Sequence, residues 1–335
     1  MATLARYKDA GEMKRREFIT LLAGASAGWP LTLSAQQFPK MTTVGVLVSQ
    51  RFPPVRRFAA KLQELGYTEG QNLRIEYRFA EGHDERYAAL ASELAKLPVD
   101  VIVTSGTPAA LAAKRATSTI PIVMASIGEA VSTGVVPNLA RPSGNITGFT
   151  GLNLELEGKR LALLKELLPN LSRVGILANR ANPLFDVSLQ YLRPAANGLG
   201  LTLELFEVRD QEEIDIALRH LDQARPDGVV VAADTSLLSK RREIAASLAR
   251  SRLPTIYAFK EYVEVGGLMI YGASLGAMFE RAAGYVDKIV KGAKPGDLPV
   301  QQATEFELTI NLKVAAGLGL KVPSSLIARA DELIE

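Results

Sequence analysis

The residues of this chain that could do chemistry stand in short polar segments, each just after an apolar, β-branched run. Ser49-Gln50 follows the run at 43–48, Ser105-Gly106-Thr107 follows 99–104, and Ser126 follows 122–125. Further along, Asn179-Arg180 follows 174–177, Asp234-Thr235 follows 226–231, and Tyr257 opens the segment 257–259. The hydroxyls of Ser105, Thr107 and Ser126 donate and accept, and Asn179 does both through its amide. Gly106 ahead of Pro108 lets backbone amides at a helix start approach an anion such as a carboxylate. Asp234 can pair with an ammonium group, and Tyr257 offers an aromatic wall. An anion site facing an acid would suit a zwitterion. The same residue types also cap helices at strand–helix junctions, and Tyr257 fits a core position equally well.

Catalytic patterns are weaker. Gly272-Ala273-Ser274-Leu275-Gly276 matches the G-x-S-x-G nucleophile elbow between a strand and a helix. A hydrolase of that type needs a histidine after the serine, and both histidines, His83 and His220, come before it. Gly24-Ala25-Ser26-Ala27-Gly28 repeats the pattern, so it is cheap in this composition. With no cysteine and two histidines there is no thiolate or imidazole-rich metal site. No Walker A, G-x-G-x-x-G or H-E-x-x-H pattern occurs. The chain therefore reads as a non-enzyme that needs no cofactor and no metal.

The 335 residues, 47% hydrophobic and 22% charged, can bury one large core or two ordinary ones. A formal charge of +3 is too small for a nucleic-acid surface. Lys14-Arg15-Arg16, the apolar run 18–33 and the small residue Ala35 are the parts of a bacterial signal peptide, expected over 1–35 with cleavage near Ala35. The pair Arg15-Arg16 fits twin-arginine export, and the general secretory route reads the same parts. Met13 offers a second start just before the basic cluster. Cleavage removes five basic and three acidic residues, a net two positive charges, so +3 becomes +1. The mature chain is expected in the periplasm.

The elements that must hold the polar segments alternate between strand and helix patterns. Apolar runs at 43–48, 99–104 and 122–125 read as buried strands, and 73–78 alternates like one. Helical stripes fall at 55–65 and 86–97, where Leu90, Leu94 and Leu97 share a face. This order argues for parallel βαβ units. It then repeats. Val44-Gly45-Val46-Leu47 returns as Val174-Gly175-Ile176-Leu177, Pro98–Val103 as Pro226–Val231, and Ile120-Pro121-Ile122 as Leu253-Pro254-Thr255, at offsets between 128 and 133 residues. Two similar α/β lobes are implied, Rossmann-like with parallel sheets. The first is expected over 42–148 with about 268–292, the second over 149–262 with about 300–320. Crossings near 144–151, 259–267 and 306–310 would form a hinge. Ligands bind outside the carboxyl ends of parallel strands and in clefts between domains. Ser49, Gln50, Ser105, Gly106, Thr107, Ser126, Asn179, Asp234, Thr235 and Tyr257 are therefore the candidate ligand contacts.

Several stretches then resemble a known family. The leader Arg15-Arg16-Glu17-Phe18-Ile19-Thr20-Leu21-Leu22, the segment Gly66-Tyr67-Thr68-Glu69-Gly70-Gln71-Asn72 with Ile75-Glu76-Tyr77-Arg78, and Ala140-Arg141-Pro142-Ser143-Gly144-Asn145-Ile146-Thr147-Gly148 carry it. So do Gly266-Gly267-Leu268-Met269, Tyr271-Gly272, Lys291-Gly292-Ala293-Lys294-Pro295, Asp297-Leu298-Pro299-Val300-Gln301 and Phe306-Glu307-Leu308 before Ile310-Asn311-Leu312-Lys313. Together they are similar to the ABC transporter substrate-binding proteins related to tryptophan- and tyrosine-binding lipoproteins. The resemblance implies a type I periplasmic-binding-protein fold and a small-molecule ligand, with aromatic amino acids the best-associated class. It also implies an inner-membrane ABC permease and its ATPase as partners. One departure stands out. Family members often carry Asp-Pro after the fourth strand, where this chain reads Ser126-Ile127-Gly128-Glu129-Ala130-Val131. The leader lacks a lipobox cysteine. A receptor of this fold could instead hand its closed state to a membrane signalling protein. A DNA-binding regulator on the same lobes would need a helix pair where this chain has its basic and apolar leader.

Overall fold

The structure, a computed structural model, describes residues Met41–Gly151 and Asn153–Glu335. The expected signal segment 1–35 lies outside the described residues. The strands are, in chain order, β1 (Thr42–Val48), β2 (Leu73–Phe79), β3 (Val101–Ser105), β4 (Ile122–Ile127), β5 (Ile146–Thr150), β6 (Arg173–Asn179), β7 (Thr202–Val208), β8 (Gly228–Val231), β9 (Thr255–Tyr257), β10 (Met269–Ala273), β11 (Gln301–Gln302), β12 (Phe306–Asn311) and β13 (Glu332–Ile334).

They form two sheets. The first runs β11-β5-β4-β3-β1-β2 and is parallel throughout. The second runs β13-β12-β10-β9-β8-β6-β7 and is parallel except for the antiparallel pair β10–β12. Central strands covered on both faces need apolar runs, which is why β1, β3 and β8 are each built on a run of valine, isoleucine or leucine.

Alternate side chains then serve opposite faces. Val44, Val46 and Val48 of β1 pack with Phe58 of helix Pro53–Glu64 and Phe279 of helix Leu275–Val290. Leu47 points the other way, to Leu94 of helix Tyr87–Lys96 and Ala113 of helix Thr107–Ala116. The second sheet repeats the plan. Leu177, Val229 and Val231 share a cluster with helices Gln211–Ala224 and Arg241–Arg250. Val174, Ile176 and Val230 share one with helices Asn153–Leu167 and Phe185–Gly198. Helix Gln211–Ala224 starts where Asp210 caps Glu212 N and Glu213 N, satisfying donors that helix geometry leaves open.

The two-lobed α/β architecture agrees with the pattern of the sequence, but the division of the chain differs in three places. β5 pairs with β4 as far as Thr150, so the first lobe runs past residue 148. β10 pairs with β9 and β12, so 269–273 belongs to the second sheet, and the chain crosses after Ala273 rather than at 259–267. Gln301 and Gln302 pair with β5, which puts the start of the 300–320 segment on the first sheet. Each difference is a pairing between distant strands, which local periodicity does not encode.

Helix Leu275–Val290, reached through the second crossing, is a structural keystone of the first lobe. Phe279 is fully buried and meets Phe52 edge-on at 5.6 Å between ring centroids. Phe279→Ala is expected to cost about 3–5 kcal/mol through lost burial and an unfilled cavity. The midpoint of urea unfolding should fall accordingly with the slope unchanged.

Candidate functional site

The carboxyl ends of the parallel strands of both sheets come together, as the topology requires. Ser49 and Gln50 follow β1, Ser105 ends β3, Asn179 ends β6, and Asp234 lies three residues beyond β8. The lobes touch across this junction. Gln50 Nε2 donates to Leu238 O at 3.3 Å, Gln211 Nε2 donates to Glu81 O, and Asn179 Nδ2 donates to Asp84 Oδ2 at 3.4 Å. Gly106 has φ +89°, and a Cβ placed there would stand 2.6 Å from Thr235 Oγ1. Only a glycine lets the second lobe approach this closely at this backbone conformation.

Asp234 is buried and fully engaged. Its Oδ1 accepts from Ser236 N at 2.7 Å and Leu237 N at 2.9 Å, capping the short helix Thr235–Ser239. Its Oδ2 accepts from Asn182 Nδ2 at 2.7 Å and Asn179 Nδ2 at 3.2 Å. The cap geometry that the sequence left open is therefore the one observed, and it orients the carboxylate rather than spending it. Asn179 is in turn oriented by Ala181 N, which donates to its Oδ1 at 2.9 Å.

The residue facing Asp234 was not among the sequence candidates. Asp84 comes from the first lobe, just after β2, and its Oδ2 shares the Asn179 amide with Asp234. Burial raises its carboxyl first, and the Asp234 charge adds to this, so that it reaches about 7 despite hydrogen bonds from Ser236 and Asn179. Asp234 and Glu85, the charged neighbours that raise it, are both acidic. Tyr87, one turn further, has its phenol pushed up by burial and by the Asp84 charge. Among the described residues, Ser49 Oγ, Ser105 Oγ, Asp84 Oδ1 and Tyr87 OH are buried and make no hydrogen bond of good geometry, with Ser49 and Thr235 the polar neighbours of the Tyr87 hydroxyl. Such groups are uncommon in folded proteins and call for a partner of complementary chemistry.

The other expected residues divide. Thr107 Oγ1 accepts from Gly128 N at 3.4 Å, and Ser126 O accepts from Gly106 N at 2.7 Å, so both brace the junction from behind. Thr235 stands over Gly106 at the start of helix Thr107–Ala116. Tyr257 lies away from this cluster: it is 1% exposed, and its ring stacks on Tyr262 at 4.3 Å on β9, a central strand between β8 and β10. Asp84, Tyr87 and Asn182 were missed. The rule that ligands gather at strand carboxyl ends covers the segment after β2 as well, and applying it there would have reached Gly82-His83-Asp84. Among the described residues no group of three or more His, Asp or Glu could hold a metal ion.

Residues 42–334 match the profile of the family described as ABC transporter substrate binding protein. A tyrosine-binding protein of Clostridioides difficile is 26% identical over 254 residues, covering 76% of this chain and 73% of that protein. Two solved structures superpose with a TM-score of 0.81 at 27% identity, each covering 88% of this chain and 100% of the other. One is an ABC domain from Streptococcus pneumoniae in complex with L-Trp, and the other is a conserved domain protein from Vibrio cholerae. Two mostly parallel sheets joined by three crossings, with their carboxyl edges facing, make the type I periplasmic-binding-protein fold. The chain belongs to the ABC transporter substrate-binding protein family.

Proposed function

We propose that this protein is the solute receptor of an ABC importer and holds an amino acid between its lobes, with the ammonium group at Asp84 and Asp234. The observation that carries the reading is that two carboxylates from opposite lobes, Asp234 buried and Asp84 half-buried, share one amide, and that the charge of the first raises the carboxyl of the second. An ammonium group supplies the missing charge and the donors. The unpartnered hydroxyls of Ser49, Ser105 and Tyr87 can donate to the ligand's carboxylate. Ser49, Gln50, Ser105, Asn179 and Thr235 are the sequence candidates that contribute to this site, with Gly106 allowing the approach. An aromatic amino acid is the favoured class, since a tyrosine-binding protein and a tryptophan complex are among the relatives. The basic and apolar leader supports a place outside the cytoplasm, where a membrane permease and its ATPase would take the ligand over. Because contacts on both lobes are needed, binding draws the lobes together.

Calorimetric titration with tyrosine, tryptophan and phenylalanine, each beside the same acid without its amino group, tests the reading. The amino acids should bind and the deaminated acids should not. Equal binding of both sets would overturn it. The pH dependence has a definite sign. Binding an ammonium group favours ionised Asp84, so affinity should rise through about pH 7 and level off above it. Ligand-free stability runs the other way. A carboxyl raised in the folded state holds its proton more tightly there than in the unfolded chain. Its contribution is full below about pH 4, the ordinary carboxylate value, and is lost as pH rises through about 7.

A further inference from the structure

The turn that carries Asp84 is gripped from both lobes. On its own side, Ala80 N donates to Val48 O at 3.1 Å and Glu81 N donates to Ser49 O at 2.6 Å, which ties the turn to the end of β1. From the second lobe, Gln211 Nε2 donates to Glu81 O and, at 3.3 Å, to Ser239 Oγ. Ser239 Oγ donates in turn to Ser236 O. Both protons of the Gln211 amide are engaged within this network, so the side chain has no donor left for a ligand. Glu81 and Gly82 have φ of +58° and +83°, two left-handed residues in succession. A residue with a side chain holds that conformation only where its surroundings impose it. Gly82 lies against the second lobe, and a Cβ there would overlap Gln211 Nε2 and Ser239 Oγ. Two residues later, Asp84 reaches the Asn179 amide. Ser239 ends the helix Thr235–Ser239 that Asp234 caps. One contact therefore joins the two segments that carry the facing carboxylates.

We propose that Gln211 and Ser239 are positioning residues for Asp84. They clamp the 80–84 turn against the second lobe when the lobes meet, and so set how long the closed state holds its ligand, without touching the ligand. The part that concerns release rests on the amino-acid reading above. Because the clamp forms only with the lobes together, it acts on the rate of release rather than on the rate of encounter. Because its donors are engaged within the protein, it favours no ligand over another. Gln211 is half-buried and stands in the first turn of helix Gln211–Ala224, whose open amides are capped by Asp210. The helix therefore starts without help from the Gln211 side chain.

Two experiments test the clamp, and the first needs no ligand. The chain contains no cysteine, so Gly82→Cys with Ser239→Cys allows a single disulfide, between the lobes, at a place where the two side chains come within reach. Mild oxidation of the folded double variant should cross-link it, seen as a faster-migrating band that reduction abolishes. No cross-link in folded protein overturns the clamp. The second experiment follows release of radiolabelled tyrosine, tryptophan and phenylalanine, chased with unlabelled ligand, from Gln211→Ala and Gln211→Glu. Gln211→Ala should speed release about three- to tenfold, the effect of losing a hydrogen bond or two open to solvent. The factor should be the same for each ligand, with association changed by less than about twofold. Gln211→Glu keeps the shape but turns donors into acceptors facing Glu81 O, so release should be faster still. Its ligand-free thermal midpoint should not fall, since the first turn of a helix favours a carboxylate. A residue needed only for the fold would lower that midpoint. Unchanged release from both variants, or factors that change from ligand to ligand, overturns the clamp while the amino-acid reading stands. Should the cysteine pair not fold, the release rates decide alone. If the cross-link forms and none of the three amino acids binds, the amino-acid reading falls and the contact between lobes stands.

Discussion

Asp84→Asn is expected to weaken binding of an ammonium-bearing ligand by about two orders of magnitude or more, while making the ligand-free protein more stable. Truncating one partner of a buried charge pair costs about 2–5 kcal/mol, much of it from leaving the other charge uncompensated. Asparagine keeps the shape and the acceptor oxygen and removes only the charge. The gain in ligand-free stability has a separate cause. Asp84 is held above the usual carboxylate range by burial and by Asp234, so its ionised form at neutral pH is unfavourable in the folded state. The neutral amide lacks that burden. Calorimetric titration and thermal unfolding of the same preparation check both halves. A residue that merely supported the fold would lower stability and affinity together. Opposite signs identify a charge kept for the ligand at the expense of the empty protein.

Gly106→Ala is expected to reduce affinity at least about a hundredfold by keeping the lobes apart. Two costs combine. The position has φ +89° and ψ 142°, a conformation nearly confined to glycine, which a side chain adopts at about 1–3 kcal/mol. The added Cβ would stand 2.6 Å from Thr235 Oγ1 and 3.2 Å from its Cγ2, across the junction between lobes. The first cost acts on the lobe itself, and the second only when the lobes meet. Thr235→Ala in the same chain removes the colliding atoms and should recover part of the affinity, leaving the backbone cost behind. Small-angle scattering with saturating ligand gives the matching readout. The single variant should keep an open profile where the unsubstituted protein compacts, and the double variant should compact again. If Gly106→Ala binds and compacts like the unsubstituted chain, the close approach at Gly106 is not part of binding.

The sequence by itself determined the alternation of apolar strand runs with helical stripes and its repetition as two similar lobes. Those properties are local. A strand buried on both faces carries an apolar run, as at β1, β3 and β8, and the duplication repeats such runs at a near-constant offset. The strand-end rule also brought Ser49, Ser105, Asn179 and Asp234 to one place, because the topology of parallel sheets puts carboxyl edges together whatever the loops contain. Only the tertiary structure decided which polar groups meet. Asp84 and Asp234 are 150 residues apart, and nothing in either neighbourhood encodes the other; they are joined through the Asn179 amide only when the lobes approach. Tyr257 and Asp234 each allowed two readings; the fold stacks the first on Tyr262 and makes the second a helix cap. The crossings moved for the same reason. β10 reads as a strand by composition, but its place depends on pairing with β9 and β12, and such pairing is a property of the folded chain rather than of any segment of it.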